Sequence, residues 1–371
     1  MKTRLGTIAC VALVLAIVVA CVSPHTPTPL APTSPPTLQP ATPTDRPFGG
    51  RVEKGQITSA ALAGNLLGDP TTRDYYVYLP QGYETSTKRY PVVYVLHWGT
   101  ARNSPWVMRN SLPSAMDWLI DKGDVRDMIL VFPDATNKLG GAWYMSSPTV
   151  GDYETYIAKE LVAQIDSTYR TLPGRESRGI MGCSMGGVGT FHLAWKYPDV
   201  YSVAVPMSGL MYDLEHDPGW EEARSHYGVE PTDLGDLASL DLDNIGMITL
   251  AAVAAPNPSK PPFYLDMPFK IVDGSAQIDR EVFRKVIGLD VINDARSYVN
   301  QPLRLNGMLI YRDTDQGQNP VYQRFNSELY PRFLEKLTEL GIEHEYAEVE
   351  AGHCKFDLTP AVKFMDSHLA F

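Results

Sequence analysis

The chain is short of positive charge: 371 residues carry 32 Lys and Arg against 43 Asp and Glu, for a formal net charge of −11. A surface of that sign repels phosphate backbones and anionic lipid headgroups, which argues against a nucleic-acid partner. No cluster of His, Cys, Asp or Glu has the spacing of a metal site, and no glycine-rich loop of the phosphate-binding kind occurs, so neither metal nor other cofactor is implied. Repeats of fixed period are absent too. With 44% hydrophobic and 20% charged residues the composition is that of a globular protein with room for a substantial core. The length exceeds what one compact domain usually needs, so an insertion or a non-globular segment is expected.

The one prolonged apolar run lies at the start. Lys2 and Arg4 precede Ile8–Ala20, with a small residue before Cys21, and this is the anatomy of an export signal. The run is too short for a comfortable membrane span. Val18-Val19-Ala20-Cys21 resembles the lipobox of bacterial lipoproteins, which implies residues 1–20 as signal peptide, lipidation at Cys21 and a lipid anchor holding the protein to the membrane at the cell surface. An ordinary cleaved signal or an uncleaved anchor are the alternatives, and all three place the remainder outside the cytoplasm. Residues 21–48 are dominated by Pro and Thr, cannot build a core, and read as a semi-rigid stalk.

Residues 49–371 form the expected catalytic domain. Short apolar strands alternate with helical patterns, the signature of an α/β fold with a mostly parallel sheet and helices on both faces. Strands are predicted at Arg73–Leu79, Pro91–His97, Met128–Phe132, Arg178–Cys183, Tyr201–Pro206, Gly307–Tyr311 and His344–Val349. Helices are predicted over Asp152–Tyr169, Met185 to about Tyr197, Val321–Leu340 and from about Thr359. Residues 210–305 have weak periodicity and many Pro, Gly and Asp, and read as a cap inserted before the Gly307 strand. Trp220, Phe263, Tyr264 and Phe269 in that cap could line a substrate pocket or form the cap's own small core.

Gly182-Cys183-Ser184-Met185-Gly186, extended by Gly187, fits G-x-S-x-G. Its context, after a strand and before a helix, suits a sharp turn that lifts the Ser184 hydroxyl clear of the sheet, with glycines where side chains would collide. A serine hydroxyl needs a base, and in this architecture the partners follow in the order Ser, acid, His. His353 lies just after the last predicted strand, where the base belongs; His97, His192, His216 and His226 are less well placed. The acid should sit after the Gly307 strand, where Arg312-Asp313-Thr314-Asp315 offers two carboxylates that spacing cannot separate. Backbone amides for an oxyanion hole are expected from Met185 and from the His97-Trp98-Gly99 turn, through Trp98 or Gly99.

At these motifs the chain resembles the putative-esterase family of α/β-hydrolases, which includes S-formylglutathione hydrolases, enterochelin esterases, feruloyl esterases and mycolyltransferases. The resemblance runs from about Arg73 to the end, most specifically at Gly141-Ala142-Trp143-Tyr144, Tyr153-Glu154-Thr155-Tyr156-Ile157 and Arg178 to Gly187. It implies an α/β-hydrolase fold and a Ser184, Asp315, His353 triad, with Asp313 as the alternative acid. The usual His-Gly pair of the oxyanion loop is interrupted here by Trp98. Cys183 and Cys354 each adjoin a triad residue, so their neighbours' convergence should bring them within bridging reach, a pairing that resembles the arrangement in tannases and fungal feruloyl esterases. The expected activity is that of a serine carboxylic-ester hydrolase working through an acyl-enzyme on small-molecule or carbohydrate-linked esters, such as acetyl or feruloyl esters. An acyltransferase of the mycolyltransferase type, or an inactive surface-binding lipoprotein, are the other readings.

Overall fold

The computed structural model describes residues 49–99, 104–217, 219–314, 325–355 and 357–371. The expected leader, the stalk, Cys21 and Asp315 therefore lie outside the described residues. Eight strands build the main sheet: β1 (Arg51–Thr58), β2 (Thr72–Leu79), β3 (Val92–Leu96), β4 (Ile129–Pro133), β5 (Arg178–Cys183), β6 (Val203–Met207), β9 (Gly307–Asp313) and β10 (Glu345–Val349). Strands β7 (Phe269–Val272) and β8 (Ser275–Ile278) form a separate hairpin. The spatial order is β1-β2-β4-β3-β5-β6-β9-β10. Pairing is parallel from β4 to β10 and antiparallel at β1–β2 and β2–β4.

Strand β3 shows why the middle of the sheet is apolar without alternation. Val92, Tyr94 and Leu96 enter one core, shared with helices Leu161–Thr168 and Met185–Lys196, while Val93 and Val95 enter a second, shared with helices Ser104–Asp121 and Thr359–His368. A strand covered by helices on both faces needs apolar residues at every position. The expected strands all occur, within two residues of their predicted ends. The expected helix over Asp152–Tyr169 is continuous but changes pitch, with wide π-type turns over Tyr156–Glu160 where Glu160 accepts hydrogen bonds from the Ser59 hydroxyl and the Ala61 amide.

The cap lies between β6 and β9. Among its described residues are helices Gly219–His226, Leu242–Ala254, Arg280–Val286 and Val291–Tyr298 and the β7–β8 hairpin. Trp220 packs edge-on against Phe269 at 6.0 Å and Phe283 at 4.9 Å, and Phe269 lies 5.0 Å from Tyr227. Trp220, Phe263 and Phe269 are buried, so these aromatics make the cap's own core.

Because the parallel strands run the same way, their carboxyl ends open on one edge. There His97 follows β3, Ala135 follows β4, Ser184 follows β5, Ser208 follows β6, Asp313 ends β9 and His353 follows β10. Ligands of open α/β sheets bind at that edge.

Candidate active site

Ser184 sits at φ 58° and ψ −120°, a left-handed geometry in which a non-glycine residue is strained. Its neighbours explain the glycines. A Cβ on Gly182 would come 2.6 Å from the Gly186 carbonyl oxygen, one on Gly186 would lie 2.4 Å from that of Leu96, and one on Gly187 would lie 2.4 Å from that of Met207. Gly209, which the motif does not contain, is tighter still: its Cβ would lie 2.0 Å from the Ser184 oxygen. The turn is held by the Ser184 amide donating to Met207 O at 3.0 Å and the Val188 amide donating to Ser184 O at 3.0 Å. From Gly182 to Gly187, Ser184 alone is more than buried, which leaves its side chain at the surface of a cavity. The helix Met185–Lys196 begins there, so its amino-terminal amides favour negative charge beside the hydroxyl.

That cavity has a volume of about 420 Å3 and is lined by Ser184, Met185, Trp98, Gly99 and His353 together. The structure thus brings together residues from three distant parts of the chain, around Trp98, Ser184 and His353. Behind His353 stands Asp313, wholly buried at the end of β9, with Oδ2 3.4 Å from the imidazole Nδ1. The Cys354 amide donates to the same oxygen at 3.4 Å, and the Asp313 amide donates to the Ser208 hydroxyl at 2.9 Å. Cys183 and Cys354 are joined by a disulfide with Cα atoms 5.9 Å apart, fastening the end of β5 to the loop that carries His353.

The turn after β3, where the oxyanion hole was expected, is built around His97, only 1% exposed. The Ala135 amide donates to its Nε2 at 2.9 Å, and its Nδ1 lies 2.9 Å from Trp98 O. Burial holds the His97 pKa below the usual histidine value, against the opposing pull of the Trp98 carbonyl and the Asp134 charge. The Tyr144 hydroxyl donates to His97 O at 3.0 Å. Gly99 faces Met185, whose Cβ is 3.6 Å from where a Gly99 Cβ would lie.

The rest of the cavity wall was not legible as such in the sequence. Trp143 lines it at φ 57°, with its indole N–H donating to Thr249 Oγ1 at 2.9 Å. Met211, Leu214, Met247 and Leu250 add apolar surface, while Asp217 and Asp243 add carboxylates. Burial, with Asp241 and Glu222 nearby, raises the Asp243 pKa. Two further tethers run from the same loop to the cap: Ser147 Oγ donates to Ala252 O at 2.7 Å, and Thr149 Oγ1 donates to Tyr264 O at 2.5 Å. His192 is structural, set 2.7 Å from Asp294 and 3.1 Å from Glu154. No group of three or more His, Cys, Asp or Glu among the described residues could hold a metal ion, and no described helix is long and apolar enough to cross a membrane.

A strained serine on a strand-to-helix turn, at the carboxyl edge of a parallel sheet and sharing its cavity with a histidine backed by a buried carboxylate, defines an α/β-hydrolase. Within that class, residues 70–231 match the family described as "Putative esterase". Over 169 residues it is 32% identical to an endo-1,4-beta-xylanase/feruloyl esterase of Xylanibacter ruminicola, covering 43% of this chain and 22% of that one. Over 164 residues it is 30% identical to feruloyl esterase B of Thermothelomyces thermophilus, covering 42% and 53%. The matches thus span about half or less of these relatives. Among solved structures, a ferulic acid esterase aligns with TM-score 0.56 and 20% identity over 87% of this chain and all of that one. An S-formylglutathione hydrolase of Staphylococcus aureus aligns with TM-score 0.52 and 15% identity over 85% and 98%. At those identities the likeness is one of fold.

Proposed function

We propose that the protein is a serine carboxylic-ester hydrolase that works outside the cytoplasm through an acyl-enzyme, with Ser184 as nucleophile, His353 as general base and acid, and Asp313 as the residue that orients it. The observation that carries this reading is the shared cavity of Ser184 and His353 with the buried Asp313 carboxylate 3.4 Å behind the imidazole. His353 takes the Ser184 proton as Oγ attacks the ester carbonyl, and the carbonyl π electrons move onto oxygen. The oxyanion collapses, the C–O bond to the alcohol breaks, and His353 returns the proton to the departing oxygen. Water then repeats the sequence and releases the acid. Asp313 holds the imidazole in the tautomer with Nδ1 protonated and stabilises the imidazolium in each half.

The apolar part of the wall, with Trp143 and the two methionines, suits a bulky or aryl acyl group, and the relatives' names favour feruloyl esters of plant-wall carbohydrate. The leader supports export with an anchor at Cys21, and the Cys183–Cys354 disulfide fits an oxidising compartment. A hydrolysis screen of the leaderless protein over methyl ferulate, acetylated xylan and short p-nitrophenyl esters tests the reading. Turnover is expected, with Ser184→Ala lowering it at least about 10⁴-fold; activity that survives in Ser184→Ala refutes the nucleophile.

A further inference from the structure

We propose that His97 is a positioning residue of the oxyanion hole, whose Nδ1–H holds the Trp98 carbonyl and thereby directs the Gly99 amide, rather than that of Trp98, toward the reacting ester alongside the Met185 amide. The proposal rests on the reading of Ser184 as nucleophile. Its first step is the tautomer. A backbone amide can only donate, so the 2.9 Å contact from Ala135 N requires a lone pair on Nε2. The ring proton of the neutral imidazole then sits on Nδ1, which donates to Trp98 O at 2.9 Å.

The second step is peptide geometry. The Trp98 carbonyl and the Gly99 amide belong to one planar trans unit, in which C=O and N–H point in opposite directions. Fixing the carbonyl on His97 turns the Gly99 N–H away from the buried ring. Gly99 lines the cavity that holds Ser184 and packs against Met185. The Trp98 amide belongs to the preceding peptide, whose carbonyl is held by Tyr144 and not by the imidazole.

The histidine is itself fixed. Tyr144 donates to the His97 carbonyl, and its ring occupies the space above Gly189, where a Cβ would come 2.4 Å from the aromatic carbon. The motif containing Trp143 and Tyr144 therefore supports the oxyanion loop as well as the cavity wall. The oxygen that gains charge when Ser184 attacks meets a donor already aimed, so no reorganisation accompanies the reaction.

The test compares His97→Leu, which keeps bulk and removes the donor, with His97→Asn, whose side-chain amide keeps a donor near Nδ1. His97→Leu should lower kcat by about 10²-fold with KM little changed, the effect of losing one oxyanion donor. Affinity for an aryl boronic acid, whose tetrahedral adduct on Ser184 places an oxygen in the same hole, should fall in parallel. His97→Asn should restore kcat to within about tenfold of the wild type. Histidine labelled with 15N should show His97 in the wild type as neutral with the proton on Nδ1. A folded His97→Leu variant with wild-type kcat and boronate affinity overturns the proposal, as does a proton on Nε2. Failure of the underlying reading shows differently, as a wild type that turns over no ester.

Discussion

Asp313 and Asp315 stand two positions apart in the sequence, and of the two only Asp313 lies among the described residues. Asp313 is the last residue of β9, inaccessible to solvent and in contact with His353, whereas spacing alone leaves either carboxylate admissible. Asp313→Asn should lower kcat about 10⁴-fold, the cost of presenting the wrong imidazole tautomer, while Asp315→Asn should leave it within about tenfold. Steady-state kinetics on one p-nitrophenyl ester decides between them. Gly209 is a second case. A methyl group there meets the Ser184 carbonyl oxygen, so Gly209→Ala should displace the nucleophile and lower kcat about 10²-fold without loss of the far-ultraviolet circular dichroism spectrum. The motif around Ser184 could be read because its geometry is local to six residues. Gly209 could not, since its constraint comes from β6 lying beside β5, and pairing of strands is not written in either segment alone.

At the level of elements, the helix that follows the nucleophile is joined to two others through His192. Its ring lies between Glu154, at the start of the helical run before β5, and Asp294, in the cap helix Val291–Tyr298, and Lys196 supports Glu154 at 2.6 Å. Burial alone would depress the His192 pKa, but the two carboxylates more than offset it and hold it at about 9. A pKa raised on folding gives stability that is whole below the unfolded value near 6.5 and is lost as pH rises through about 9. The melting temperature should therefore fall between pH 7 and 10, and His192→Gln should flatten that slope; an equal slope in both proteins removes His192 as its cause. The sequence showed the three helices' neighbours only in part. Helix Met185–Lys196 and the run from Tyr153 carry clear signals, but the cap helices do not. Helix Leu242–Ala254 explains why: from Met247 to Val253 every residue is buried, so no polar face marks a period.

For the molecule as a whole, the disulfide spans 171 residues and joins the middle of the sheet to its last loop. Cys183→Ala/Cys354→Ala should lower stability by about 2–4 kcal/mol, read by urea denaturation. It should also lower kcat, because the His353 loop loses its covalent tie to β5; an unchanged kcat would assign the bridge to stability alone. The strands from Arg73 onward and the long aperiodic stretch after β6 were legible, since strands buried on both faces and aperiodic segments are distinct in composition, whereas β1 and the helix Ser104–Asp121 were not predicted. The rest of the cavity wall was not, because it draws on Trp143, Met211, Leu214 and Met247, which only the tertiary fold assembles. Trp143, Ser147 and Thr149 fasten the cap at three points, two of them on the very helix that walls the cavity. Three hydrogen bonds thus moor the roof of the cavity to the same stretch, residues 143–149, whose Tyr144 braces the turn after β3.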